Sequence, residues 1–354
     1  MNLVQLVGIV LFGLILALIF NINGIQNSNW YQLLIALLLA TGLYASTYGI
    51  DLKEAKQHLK LILSAVTIGV FLKAAIIGVT LWLAFQDPFF LILGIVVAQI
   101  DPLSVSALLQ DNRMSKKAKA ILSSWASFDD PMTVILAIYA PIIIVQVFGS
   151  GAINLSTTDA SVGLWSYITE LGLNLGLAAQ AFCLYTVIRF YSKQVSAWLA
   201  FGVSLLVYVL LAIAFSISVI YFMMLGVALI GLFLRPPIEK YINLATKYAL
   251  VIATLLLGIL LVGGVNIVAG IALGFMAYLA QIIVGFILTR KLPKKDSWHI
   301  AFAQQNGITA IILALVFEPL HSGTVAIVAP AILVVNCLHY IINMVLDKHV
   351  LSKI

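Results

Sequence analysis

The chain has 354 residues, of which 63% are hydrophobic and 9% charged, and its mean hydropathy is +1.14. A soluble domain carries roughly a quarter of its residues as charges, so this composition excludes a water-soluble enzyme and predicts a polytopic membrane protein. The formal charge of +6 does not signal nucleic acid, because its distribution follows the membrane segments described next.

Twelve apolar segments, each long enough to cross a bilayer as a helix, are predicted in chain order. They fall at 3–22, 30–50, 60–85, 88–109, 118–143, 165–188, 195–213, 215–234, 243–264, 266–289, 299–317 and 323–346. The first has no basic leader and no small-residue cleavage site, and reads as a retained helix. The seventh and eighth run almost without interruption, divided only by the weak turn signal at Ser216–Ser218. Cys183 and Cys337 both lie inside apolar segments and read as small core residues.

The basic residues test this count independently. Lys53, Lys56, Lys60, Arg113, Lys116, Lys117, Lys119, Arg189, Lys193, Arg235, Lys240, Lys247, Arg290, Lys291, Lys294, Lys295, Lys348 and Lys353 all follow even-numbered segments. None follows an odd-numbered one. The positive-inside rule then places those loops and both termini in the cytoplasm. The opposite side is lightly acidic, with Asp87, Asp159, Glu170 and Glu318.

The remaining basic residue, Lys73, sits in the middle of the third segment. Asp101 in the fourth segment and Asp129 and Asp130 in the fifth lie at similar depth. Charge in hydrocarbon is costly, so this group needs partners, protons or a cation. A lysine in a membrane segment commonly snorkels to the interface, but the mid-segment position of Lys73 favours a paired role with Asp129 or Asp101.

Two segments carry breaks near their centres. Pro102 disrupts the fourth at Gln99-Ile100-Asp101, because proline lacks a donor and pushes the preceding residue out of the helical region. The eleventh is interrupted by Gln304-Gln305-Asn306-Gly307 before Ile308 and Thr309. The two segments run in opposite directions, so segments 3–5 and 10–12 read as an inverted repeat whose broken helices cross at the midplane, the pattern of a secondary transporter. Asp101 would offset the like partial charges of the opposed half-helices. Adjacent helical residues point about 100° apart, so Asp129 and Asp130 do not meet one ion from the same face.

The blocks TGLYASTYGIDLKEAKQHLKLILSAVTIGV, GIVVAQIDPLSVSALL, SSWASFDDPMTVIL and AFAQQNGITAIILAL, in this order and spacing, resemble the cation:proton antiporter superfamily. That resemblance implies exchange of Na⁺, or Li⁺ or K⁺, for H⁺ by alternating access. It assigns ion and proton binding to Asp130, with Asp129 as a second titrating ligand and Asp101 in the unwound helix. The Asp at 129 resembles the electrogenic group of that superfamily. Supporting positions are Lys73, Gln99, Ser104, Ser127, Gln305, Asn306 and Thr309.

Departures from the family pattern are specific. Ile100 replaces a threonine, Tyr44 stands where many relatives have Glu, the tenth segment has Gln281 and no Lys, and Gln305-Asn306 replaces an Arg before the Gly. The resemblance further implies an ion-binding core at 58–146 and 266–346, a scaffold at 1–57 and 164–264, a homodimer, and the plasma or inner membrane. No cofactor is expected beyond the transported ions, and no nucleic acid. A sodium-coupled organic-anion symporter is the nearer alternative; it would not need the adjacent Asp pair. An intramembrane aspartyl protease would need carboxylates facing each other from different helices, which a single-helix pair does not supply. The five histidines are placed mostly at segment ends or loops, with His58 and His299 as candidate cytoplasmic pH sensors.

Overall fold

A computed structural model of the chain describes residues 3–50, 59–102, 105, 114–149, 164–192 and 197–349. Every regular element among them is helical. The helices are α1 (Leu3–Phe20), α2 (Asn29–Tyr48), α3 (Leu59–Ser64), α4 (Val70–Phe85), α5 (Phe89–Ala98), α6 (Lys116–Phe148) and α7 (Leu164–Ser192). They continue with α8 (Ala197–Ile220), α9 (Met224–Phe233), α10 (Glu239–Leu260), α11 (Ile267–Thr289), α12 (Lys294–Ala301), α13 (Ile308–Phe317) and α14 (Thr324–His349). Among the described residues, eight helical stretches are long and apolar enough to span a bilayer. Others are shorter apolar helices, including α5, α9 and α13.

The third segment is continuous from α3 to α4 through a π-helical turn at Ala65–Gly69. The fourth and eleventh segments are discontinuous, as α5 and as the pair α12 and α13. The two breaks touch, with Asp101 N–H donating to Gln305 O at 2.9 Å, and most of the fourth segment beyond Pro102 lies outside the described residues.

The boundary between the seventh and eighth segments differs from the sequence reading. Helix α8 passes through Ser216–Ser218 without a break, and the Ser218 hydroxyl is accommodated by donating back to Ala214 O at 2.8 Å. The chain turns instead at Tyr221–Met223, where Phe222 has φ 54° and Met223 N–H donates to Ser218 O at 2.8 Å. Helix α9 is therefore only ten residues long, or roughly 15 Å.

Small residues set the closest helix pairings. A Cβ on Gly94 would lie 2.6 Å from Gly78 N, so α4 and α5 meet backbone to backbone. Gly270 and Gly274 admit α14 against α11 in the same way, and Gly13 and Gly258 join α1 to α10. With no hydrophobic drive between helices in lipid, such close approach maximises dispersion contact. Pro330 in α14 cannot supply an N–H to Ala326 O. That carbonyl accepts from Asn266 N–H at 2.9 Å, at the start of α11.

Both ends of the repeat are tied by a carboxylate. Asp296 on α12 accepts from Ser115 N–H (3.0 Å) and Ser115 Oγ–H (2.6 Å), while Ser115 Oγ caps α6 by accepting from Ala118 N–H at 3.1 Å. At the far end of α13, Glu318 accepts from Gly323 N–H (3.0 Å) and Val325 N–H (2.7 Å), capping α14. Beside it the His321 ring stacks on Phe89 with centroids 3.7 Å apart.

Burial lowers the His321 pKa from its ordinary 6.5, with the Asp87 carboxylate opposing the shift. A histidine with a depressed folded pKa contributes fully above its unfolded value and loses that contribution as pH falls below it. Detergent-solubilised protein is expected to melt earlier on acidification from about pH 7.5 to about pH 5. His321→Phe, which keeps the stacking, is expected to remove part of that acid sensitivity in a thermal-shift measurement. An unchanged pH dependence would show that His321 does not contribute.

Candidate functional site

Helix α5 ends at Ala98, and Gln99 leaves it in an extended conformation (φ −70°, ψ 155°). Facing it, α12 ends at Ala301 and α13 begins after Gly307 (φ −132°, ψ −134°). Non-helical backbone at membrane depth must find partners within the protein. Each break supplies them to the other. Asp101 N–H donates to Gln305 O at 2.9 Å. The Gln304 amide donates to Val97 O (3.0 Å) and Gln99 O (2.8 Å), and Asn306 Nδ2 donates to Val97 O at 3.2 Å. Asn336 on α14 brackets Asn306, accepting from its N–H at 3.2 Å and donating to its carbonyl at 3.0 Å.

Asp101 is buried against Gly307, whose missing side chain makes the approach possible: a Cβ there would overlap the Asp101 carboxyl. This places the acid at the N-terminus of α13, where the helix dipole is positive.

The two acids of α6 have different partners. Asp129 Oδ2 accepts from Lys73 Nζ at 2.8 Å and from Ile100 N–H at 2.8 Å, and all three groups are fully buried. Lys73 Nζ also lies 5.3 Å above the Trp125 ring, a cation–π distance. Asp130 is equally buried, but its partners are neutral. Oδ2 accepts from Ser46 Oγ–H on α2 at 2.7 Å. Oδ1 accepts from the Gln99 NH₂ at 2.8 Å in the amide orientation that also lets Gln99 Oε1 accept from Ala310 N–H. Thr309 stands beside it.

The buried hydroxyl of Thr133, one turn from Asp130, makes no hydrogen bond, and the Thr309 hydroxyl lies beside the Asp130 carboxyl. Pro131 withholds the N–H that would otherwise bond the carbonyl of Ser127. Carboxylate, hydroxyl and carbonyl oxygens together suit a hard cation. Among the described residues there is no cluster of three or more His, Cys, Asp or Glu side chains of the kind that retains a metal.

Of the residues singled out from sequence, Lys73, Gln99, Asp101, Asp129, Asp130, Asn306 and Thr309 converge on the crossing. Gln305 reaches it through its backbone carbonyl. Ser127 is buried on α6 but makes no side-chain hydrogen bond to either acid. Ser104 and His58 lie outside the described residues. Tyr44 points away, donating to Leu234 O at 2.7 Å. Gln281 donates to Ile300 O at 3.1 Å, bracing α12. His299 is buried in the last turn of α12, and His339 is buried inside α14 rather than at a helix end or in a loop.

Ser46, Trp125 and Thr133 escaped the sequence reading. The last two were discoverable by helical spacing, since each lies three or four residues from one of the acids. Ser46 gave no such signal.

The match to a family model decides the wider assignment: residues 1–348 match the sodium/hydrogen exchanger, transmembrane family. The chain belongs to that family. Comparison with curated proteins by sequence gives no match. Among solved structures, the exchanger fold recurs in the sodium proton antiporter MjNhaP1 from Methanocaldococcus jannaschii at pH 8. The TM-score is 0.61 at 16% identity, over 96% of this chain and 91% of that one. An electron-microscopy structure of the same antiporter gives 0.58 at 16% identity, covering 100% and 98% of the two chains. At that identity the likeness is one of fold. Family and fold are those of multi-pass membrane transporters, and the family's activity is sodium/proton antiport.

Proposed function

We propose that this exchanger moves Na⁺, or Li⁺ or K⁺, against H⁺ by alternating access, with Asp130 as the group for which cation and proton compete. The observation that carries the reading is the contrast within the pair. Asp129 is neutralised by Lys73 at 2.8 Å, whereas fully buried Asp130 meets only neutral donors. An ionised carboxylate at this depth without a counter-charge is costly. A proton or a cation relieves that cost, and one excludes the other. The oxygens of Thr309, Thr133 and the Ser127 carbonyl supply further coordination. Asp101 positions the crossing, and Asp129, on the neighbouring helix face and held by Lys73, is the titrating neighbour of Asp130.

The same proposal divides the chain into a core, 58–146 and 266–346, and a scaffold, 1–57 and 164–264. It also includes cytoplasmic termini, the plasma or inner membrane, and a homodimer. Helix α1 leaves Leu11, Phe12, Ile15, Leu18 and Ile19 exposed, a face available to lipid or to a second copy.

Proteoliposomes with an imposed pH gradient test the reading, with Na⁺, Li⁺ or K⁺ added in turn. Wild type is expected to collapse the gradient with at least one cation, and Asp130→Asn to fall to the level of protein-free vesicles. A membrane-potential dye reports whether the exchange moves net charge. Failure of wild type with all three cations would overturn the proposal.

A further inference from the structure

The Ser46–Asp130 hydrogen bond joins two parts of the molecule that antiport requires to move past each other. Helix α2 is fastened to the scaffold at its C-terminal end. Arg235, just beyond α9, donates to Thr47 O (2.9 Å), Ile50 O (2.7 Å) and Gly231 O (3.0 Å). Tyr44 and Tyr48 donate to Leu234 O and Pro236 O, each at 2.7 Å. Toward the core, α2 makes two side-chain hydrogen bonds among the described residues: Tyr31 to Leu315 O at 2.8 Å, and Ser46 to Asp130 at 2.7 Å. Only the second ends on a group whose charge changes during exchange.

From this geometry, and resting on the function proposed above, we infer that Ser46 is a positioning residue that holds the unloaded core against the scaffold. A hydroxyl donating to an ionised carboxylate makes a charge-assisted bond, about twice as strong as its neutral counterpart. The bond is therefore strongest when Asp130 carries neither proton nor cation. Protonation weakens it, and a bound cation competes for the same carboxylate oxygen. An antiporter stays coupled only while its empty, charged core does not cross. Return of the empty form after delivering a proton would be a proton leak. Ser46 opposes that transition and yields once Asp130 is loaded.

Reconstituted wild type, Ser46→Ala and Ser46→Thr, with Asp130→Asn as control, test the inference. Proton flux is measured first with choline as the sole cation and then with Na⁺ over a range of concentrations. Ser46→Ala is expected to raise the choline-condition proton flux several-fold over wild type and to change the apparent KM for Na⁺. Ser46→Thr, which keeps the hydroxyl, is expected to restore both. Ser46→Ala matching wild type in both measurements would overturn the inference while leaving Asp130-dependent exchange intact. Loss of both readouts in Ser46→Ala and Ser46→Thr alike would also overturn it, by showing that packing rather than the hydroxyl matters. A wild type that exchanges no cation for protons would overturn the underlying function instead.

Discussion

Lys73→Ala is expected to destabilise the protein by about 3–5 kcal/mol, the usual cost of stranding one partner of a buried ion pair. Both side chains are fully inaccessible and meet at 2.8 Å. Asp129 would keep the Ile100 N–H at 2.8 Å but lose its only cationic partner among the described residues. The vacated methylene chain adds a cavity beside Trp125. The double variant Lys73→Met with Asp129→Leu is expected to recover most of the loss, because two apolar side chains remove the desolvation penalty together. Thermal unfolding in detergent, read as a double-mutant cycle, checks this. Additive effects of the two single changes would show that the pair is not coupled.

Gly307→Ala is expected to lower exchange by about 100-fold, the scale on which a displacement of about 1 Å acts at a reacting centre. The new methyl would occupy the position of the Asp101 carboxyl. Either Asp101 retreats from the N-terminus of α13, or the two breaks separate. In the second case the bonds from Gln304 and Asn306 to Val97 O lengthen as well. Overpacking also costs about 1–3 kcal/mol of stability. The flux loss is expected to persist at a temperature where the variant is fully folded by circular dichroism. Full activity in Gly307→Ala would show that Asp101 need not sit so close.

Much of this arrangement was legible in the chain because it rests on local chemistry. Pro102 and the Gln304–Gly307 run announce breaks through backbone requirements that hold in any context. Lys73, a charge too deep to escape, announces that it must be paired. Which acid it meets, Asp129 or Asp101, is not readable from the chain, because that depends on how α4 leans toward α6. The structure places it on Asp129.

Ser46 was not legible for a related reason. A serine two residues from a helix end has many bland explanations, and its partner lies 84 positions away. The turn at Tyr221–Met223 was missed because no Gly or Pro marks it. Phe222 takes up the left-handed conformation instead. The serines that suggested a turn at 216–218 belong to an uninterrupted helix.

The glycine contacts have a mechanical consequence. Closest approaches, at Gly13 and Gly258, Gly78 and Gly94, Gly231 with Thr47, and Gly270 and Gly274 with α14, each lie wholly inside the core or wholly inside the scaffold as divided above. Gly42 faces across that division, and its added Cβ would meet Ile308 only at an ordinary 3.9 Å. Backbone locked into backbone resists sliding, because a small shift creates a steric collision. Side chain resting on side chain can slide by changing rotamers. On the proposed division, these contacts stiffen each half internally, while the boundary between the halves is crossed by the Ser46–Asp130 and Tyr31–Leu315 hydrogen bonds.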